Sequence, residues 1–187
     1  MAYKSSNEIL QPDSRFDNLC VPDGEGWRFM TITDHHAMIG DVSLGGAPPD
    51  EVREAYDRAR NTMLYAFFDY DLLVIGEVQA FGAFELALKH RINGHGMAAK
   101  GTLRNLVDRA RKQGVFPKLD PSLPITVDRV EAMILMRNGL AHGNSEIHSP
   151  GMALQVLELC AWGIDTVFPR VDQNTGAPLN APQEIRP

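Results

Sequence analysis

Residues 72–92 read LLVIGEVQAFGAFELALKHRI, and the reading of this stretch decides the fold. It is long enough for six turns of helix and is apolar around most of its circumference, which predicts a central, buried α-helix over Leu72–Ile92. Gly76, Ala80, Ala83 and Ala87 recur at intervals of four, three and four. At about 100° per residue they fall on one narrow stripe, where a neighbouring helix can come close. A glycine inside a helix costs up to about 1 kcal/mol against alanine, so close packing is the expected compensation at Gly76 and Gly82.

Helical periodicity continues on both sides. Upstream, Val52, Ala55, Ala59, Met63, Ala66 and Phe67 repeat at three and four within EVREAYDRARNTMLYAFFDYD, with Pro48 and Pro49 placed where a helix begins. The spacing leaves open whether a break near Tyr70 separates this helix from the central one. Downstream, NGHG at residues 93–96 is a turn, and Leu103, Leu106, Val107 and Ala110 predict an amphipathic helix over Thr102–Gln113 that stops at Gly114. A fourth helix is expected over Val127–Ala141, capped by Thr126 or its neighbour, and a fifth over Met152–Phe168, stopped by Pro169. The expectation is an all-α bundle of about five helices in residues 49–168. An irregular arm, residues 1–48, precedes it with one β-like run at Trp27–Thr33. A Pro-rich, extended tail, residues 169–187, holds four of the 12 prolines.

Composition sets outer bounds. The 187 residues suffice for one core; 44% are hydrophobic and 22% charged, which is ordinary globular usage and disfavours wholesale disorder or a coiled coil. The net charge of −6 argues against a general nucleic-acid coat protein. That average conceals a division: residues 89–118 carry eight basic side chains and one acid, a local charge of +7, against −13 for the rest. Lys100, Arg104, Arg109, Arg111 and Lys112 are the candidate RNA-binding residues there, although an amphipathic helix needs a polar face in any case. Cys20 and Cys160 are far apart and in no metal-like spacing. No apolar run approaches the ~20 residues of a membrane span, so a soluble, cytoplasmic chain with reduced thiols and no membrane partner is expected.

The residues with most chemical promise form MRNGLAHG, residues 136–143. Asn138 and His142 are four apart and share a helix face, and Gly143 is placed to end the helix, so Arg137, Asn138 and His142 could converge on one anion. A histidine in the last turn feels the negative end of the helix dipole, which favours its protonated form near neutrality, where a ring can act as acid or base. Arginine supplies a planar fork for phosphate. The same side chains could equally cap helix carbonyls or pair with Glu77 or Glu85. His148, six residues after His142, is a candidate for the same cleft. Asp34-His35-His36 lacks further well-spaced ligands and reads as a surface turn, and no phosphate-binding Gly loop, nucleophile elbow or paired-carboxylate signature occurs. No metal and no cofactor is expected.

Arg137-Asn-x-x-x-His142 resembles the Arg-x(4–6)-His signature of the HEPN superfamily, the higher eukaryote and prokaryote nucleotide-binding domains. Glu85-Leu-Ala-Leu-Lys-His-Arg91 is similar to the E-x-A-L-x-x-R helix of many such domains, and residues 102–114 resemble the basic helix that follows it. The resemblance covers about residues 50–168. It implies a dimerising helical bundle with two motifs facing one cleft, and metal-independent endoribonuclease chemistry of the toxin–antitoxin or phage-defence kind. Arg137, Asn138 and His142 would then be catalytic, and Glu85 would turn towards Arg137 and position it. The expected products are a 2′,3′-cyclic phosphate and a 5′-OH, and the expected partners are RNA, a second copy of the chain, and an antitoxin or nucleotidyltransferase. The alternative is a non-catalytic HEPN-like adaptor or regulatory dimer that binds RNA, a nucleotide or a protein.

Overall fold

A computed structural model describes residues 4–93, 101–122, 124–141 and 147–170, without the side chains of Asn93, Thr126 and Ala141. Its elements, in chain order, are β1 (Cys20–Asp23), β2 (Gly26–Phe29), α1 (Ile32–Asp41), α2 (Asp50–Tyr65), α3 (Leu72–Asn93), α4 (Leu103–Lys112), α5 (Arg129–Ala141) and α6 (Pro150–Val167). The fold is largely all-α, with one two-stranded antiparallel sheet. None of these helices is long and apolar enough to cross a membrane.

α3 is the central element and packs against α2, α4, α5 and α6. The small-residue stripe explains how. Gly76 faces α2 so closely that an added Cβ would run into the Met63 side chain and the Ala59 carbonyl, while Ala80, Ala83 and Ala87 are buried. Gly82 departs from the expectation: it lies on the exposed side with open space where a Cβ would stand, so no neighbour compensates it. Ile75 and Val78 are also exposed, so α3 is not wrapped all round. The core joins Tyr56, Phe81, Phe84, Leu88, Leu106, Met133, Leu157 and Ile164 from five helices, and the Tyr56 hydroxyl donates to the Leu157 carbonyl at 3.0 Å.

The break between α2 and α3 is real and spans residues 66–71. Asp13 holds it: its backbone N–H donates to the Phe67 carbonyl at 2.9 Å, and its carboxylate accepts the Tyr70 N–H at 3.1 Å. The Arg15 guanidinium beside it keeps this buried carboxyl well below the usual carboxylate range.

The first 48 residues carry more regular structure than an irregular arm. The run Trp27–Thr33 is split: Gly26–Phe29 is a strand, and Thr31 caps α1 in a reciprocal capping box with Asp34. Phe16, His35, Ile39 and Leu44 from this segment are buried. Their contacts lie far away in the sequence, which is why local periodicity does not announce them. The cap of α5 also differs: it falls to Asp128, whose Oδ1 accepts the N–H groups of Val130 and Glu131, after a 3-10 turn at Ile125–Val127. α6 begins earlier than periodicity indicates, with Ser149 as its cap and Pro150 in the first turn. The tail beyond residue 170 lies outside the described residues.

Candidate functional site

α3 contributes two carboxylates to the side of the bundle where α5 ends and α6 begins. Glu85 and Glu77 are eight residues apart, roughly 12 Å along the helix axis. Each holds one basic side chain. Arg137, four residues before the end of α5, donates from Nε to Glu85 Oε1 at 3.1 Å. His148, just before the cap of α6, places Nδ1 3.1 Å from Glu77 Oε1 in hydrogen-bonding geometry and 2.9 Å from Oε2. The two contacts bracket residues 142–146 in the chain, and His142 itself lies outside the described residues.

The two pairs differ in their surroundings. Glu85 and Arg137 are partly open to solvent, so their attraction is screened and its main effect is orientation. A guanidinium bonded through Nε has four further N–H donors, enough to meet an incoming phosphate. Asn138 follows it, half-buried. Glu77 instead has no exposed surface, and burial pushes its carboxyl above the ordinary range against the opposing pull of His148. The His148 side chain keeps 18% of its surface in solvent. When Nδ1–H donates to the carboxylate, Nε2 is left as the basic nitrogen. Cys160, fully buried near Glu77, has its thiol raised well above the ordinary value by burial, which disfavours the thiolate.

The sequence anticipates Glu85 beside Arg137 but not Glu77 beside His148. Glu77 is an ionisable residue between Gly76 and Val78 in an otherwise apolar run, and an expensive group in such a place is the signal that marks it.

The basic segment needs correction. Arg111 is turned inward with its side chain 8% exposed; it donates to the Pro117 carbonyl, to Asp128 at 2.8 Å and to Glu131 at 3.2 Å. Arg104 forms a two-pronged pair with the same Glu131, at 2.8 and 2.6 Å. The two arginines lie about two turns apart on the face of α4 that meets α5, where the buried Glu131 carboxylate binds both, so Arg111 offers nothing to RNA and Arg104 is largely occupied. Arg109 and Lys112 are exposed on α4, and Lys100 lies outside the described residues.

Asp34, His35 and His36 go three ways. Asp34 binds Arg28, His35 is buried with Nε2 2.8 Å from the Met63 carbonyl oxygen, and His36 lines a cleft between α1 and α2. In that cleft Arg60 is committed to Asp57 and to the terminal carbonyls of α1. Among the described residues no group of three or more His, Cys, Asp or Glu side chains is arranged to hold a metal ion.

Comparison with protein-family models, curated proteins and solved structures returned no match to this chain.

Proposed function

We propose that this chain is a HEPN-type domain that cleaves RNA without a metal, with Arg137, Asn138 and His142 as its catalytic residues. The observation that supports this reading most is the Arg137–Glu85 contact, which holds the cation of the motif helix in place from a neighbouring helix. Arg137 stabilises the charge that builds on the non-bridging phosphate oxygens as the ribose 2′-OH attacks phosphorus. His142 takes the 2′-OH proton or protonates the leaving 5′-oxygen, and Asn138 orients the phosphate. The products are a 2′,3′-cyclic phosphate and a 5′-OH. Exposed Lys112, with Arg109, draws RNA towards the domain. A second copy supplies a facing motif, and the protein acts in the cytoplasm with an antitoxin or nucleotidyltransferase as partner.

Purified chain is incubated with structured and unstructured RNA in EDTA, beside Arg137→Ala and His142→Ala. Cleavage by the wild type alone, with 5′-OH ends, supports the reading. Intact RNA in all three reactions, or equal cutting by all three, sinks it.

One observation favours the second reading, a non-catalytic HEPN-like adaptor dimer. Arg104 and Arg111 spend their charge on Glu131 and Asp128, which leaves a smaller basic surface than the sequence suggests. In that case the same RNA binds and stays whole.

A further inference from the structure

The β1–β2 hairpin carries an apolar face that none of the described residues covers. Its register sets Cys20 opposite Phe29 and Pro22 opposite Trp27. Directly opposed residues of an antiparallel pair share a face, so these four side chains stand together. All four are exposed, Trp27 at 73% and Phe29 at 66%. The opposite face holds the hairpin to the body. Arg28 makes a two-pronged contact with Asp34, both distances 2.6 Å, and the Met30 N–H extends the ladder to the Leu19 carbonyl at 2.8 Å. An isolated two-stranded hairpin is marginal in water. Clamped from behind, this one presents its aromatic face already ordered, which lowers the entropic cost of docking.

Charge selects the occupant. The turn between the strands carries Glu25, Asp23 ends β1 before it and Asp17 lies upstream, while Arg28 is shared between Asp34 at 2.6 Å and Asp23 at 3.9 Å, which leaves acid in excess. Aromatic side chains on a strand can stack nucleic-acid bases, but an acidic rim repels a phosphate backbone. The fitting seat is apolar with cations beside it, and this chain has one. The buried Arg111 guanidinium binds both the Pro117 carbonyl and Asp128, so the residues next to those two are brought side by side. Leu119, Ile125 and Val127 are exposed in these stretches, as are Lys118 and, at the end of α4, Lys112, while Asp120 is turned onto Ser122.

We infer that the Trp27–Phe29 hairpin of one copy of this chain docks on Leu119, Ile125 and Val127 of the α4–α5 connection, with Lys118, of a second copy. The two patches differ, so the contact is heterologous; an exchange of hairpins about a two-fold axis closes it and uses it twice. Two aromatic rings bury roughly 150–250 Å² each when fully covered, well short of the ~800 Å² a standard interface takes from each partner. The hairpin therefore acts as an anchor, and the doubling matters. This inference is independent of RNA cleavage.

The 187-residue chain is studied by sedimentation across the micromolar range beside two double variants. Trp27→Glu with Phe29→Glu disables the hairpin, and Lys118→Glu with Val127→Glu disables the seat. All four positions are exposed, so the variants should melt like the wild type. The expected result is self-association of the wild type, weakened about tenfold or more in each variant. An equimolar mixture of the two variants restores one of the two contacts, so it associates more tightly than either variant alone and more weakly than the wild type. A monomeric wild type, a hairpin variant that associates like the wild type, or a mixture of folded variants that associates no more tightly than either one alone each overturn the inference.

Discussion

Nδ1 of His148 stands 3.1 Å from Oε1 of Glu77, a carboxylate with no exposed surface, and so the start of α6 is tied to the middle of the bundle by one polar contact. Removing the histidine strands a buried carboxylate. We expect His148→Ala to lower stability by on the order of 3 kcal/mol in urea unfolding, with most of the loss recovered in the Glu77→Gln, His148→Ala double variant.

The same carboxyl gives stability a pH dependence of defined sign. Burial raises Glu77 above its ordinary value, so the folded state holds this proton more tightly than the unfolded chain. The contribution is complete below the ordinary carboxyl range and is lost as pH rises through the elevated folded value. Urea midpoints measured upward from pH 4 should therefore fall less steeply, or rise more, for Glu77→Gln than for wild type. Parallel profiles would refute the assignment.

In the proposed RNA cleavage, Glu85 acts by aiming Arg137, to which it is hydrogen-bonded. Because the pair is partly solvated, Glu85→Gln should move the melting midpoint little, by less than about 1 kcal/mol in stability. RNA cleavage should drop roughly tenfold or more, since a misplaced cation loses transition-state stabilisation. Unchanged cleavage would remove Glu85 from the site.

Arg111 and Lys112 are neighbours in sequence with opposite fates. Arg111→Ala leaves Glu131 short of a buried partner and should cost about 3 kcal/mol. Lys112→Ala should leave stability within about 0.5 kcal/mol and, under the proposed RNA-binding role, reduce the salt dependence of affinity by about one unit of slope. Salt titrations of affinity beside thermal melts distinguish the two.

The glycines of α3 make a matched pair. Gly82→Ala, in open space, should stabilise by up to about 1 kcal/mol through helix propensity. Gly76→Ala drives a methyl into Met63 and the Ala59 carbonyl, and overpacking of this kind costs about 1–3 kcal/mol. Differential scanning calorimetry of both variants should show midpoint shifts of opposite sign.

Much of the bundle is legible in the chain because helices advertise themselves locally. The central helix over Leu72–Asn93, the start of α2 after Pro49 and the stop of α4 near Gly114 all follow from a 3.6-residue period, prolines and a glycine. The pairing of Arg137 with Glu85 is implied by the resemblance to HEPN domains, whereas the residue pattern by itself leaves Glu77 and Glu85 both open as partners.

Other features depend on which helix faces which, and no local pattern records that. Gly76 and Gly82 both lie inside one apolar helix and both are expected to be compensated by close packing, yet one touches α2 and the other faces open space. Arg111 belongs to a basic run, yet the approach of α5 brings Glu131 to it and changes a candidate RNA contact into a buried ion pair. His148 meets Glu77 across 71 residues of chain. Helix type is written in short-range periodicity, so the sequence alone determined an α-helical bundle with a polar motif at the end of one helix. The partners of its charged groups are set by contacts between distant segments, where burial decides whether a charge serves the solvent or the core, and only the tertiary structure decided those.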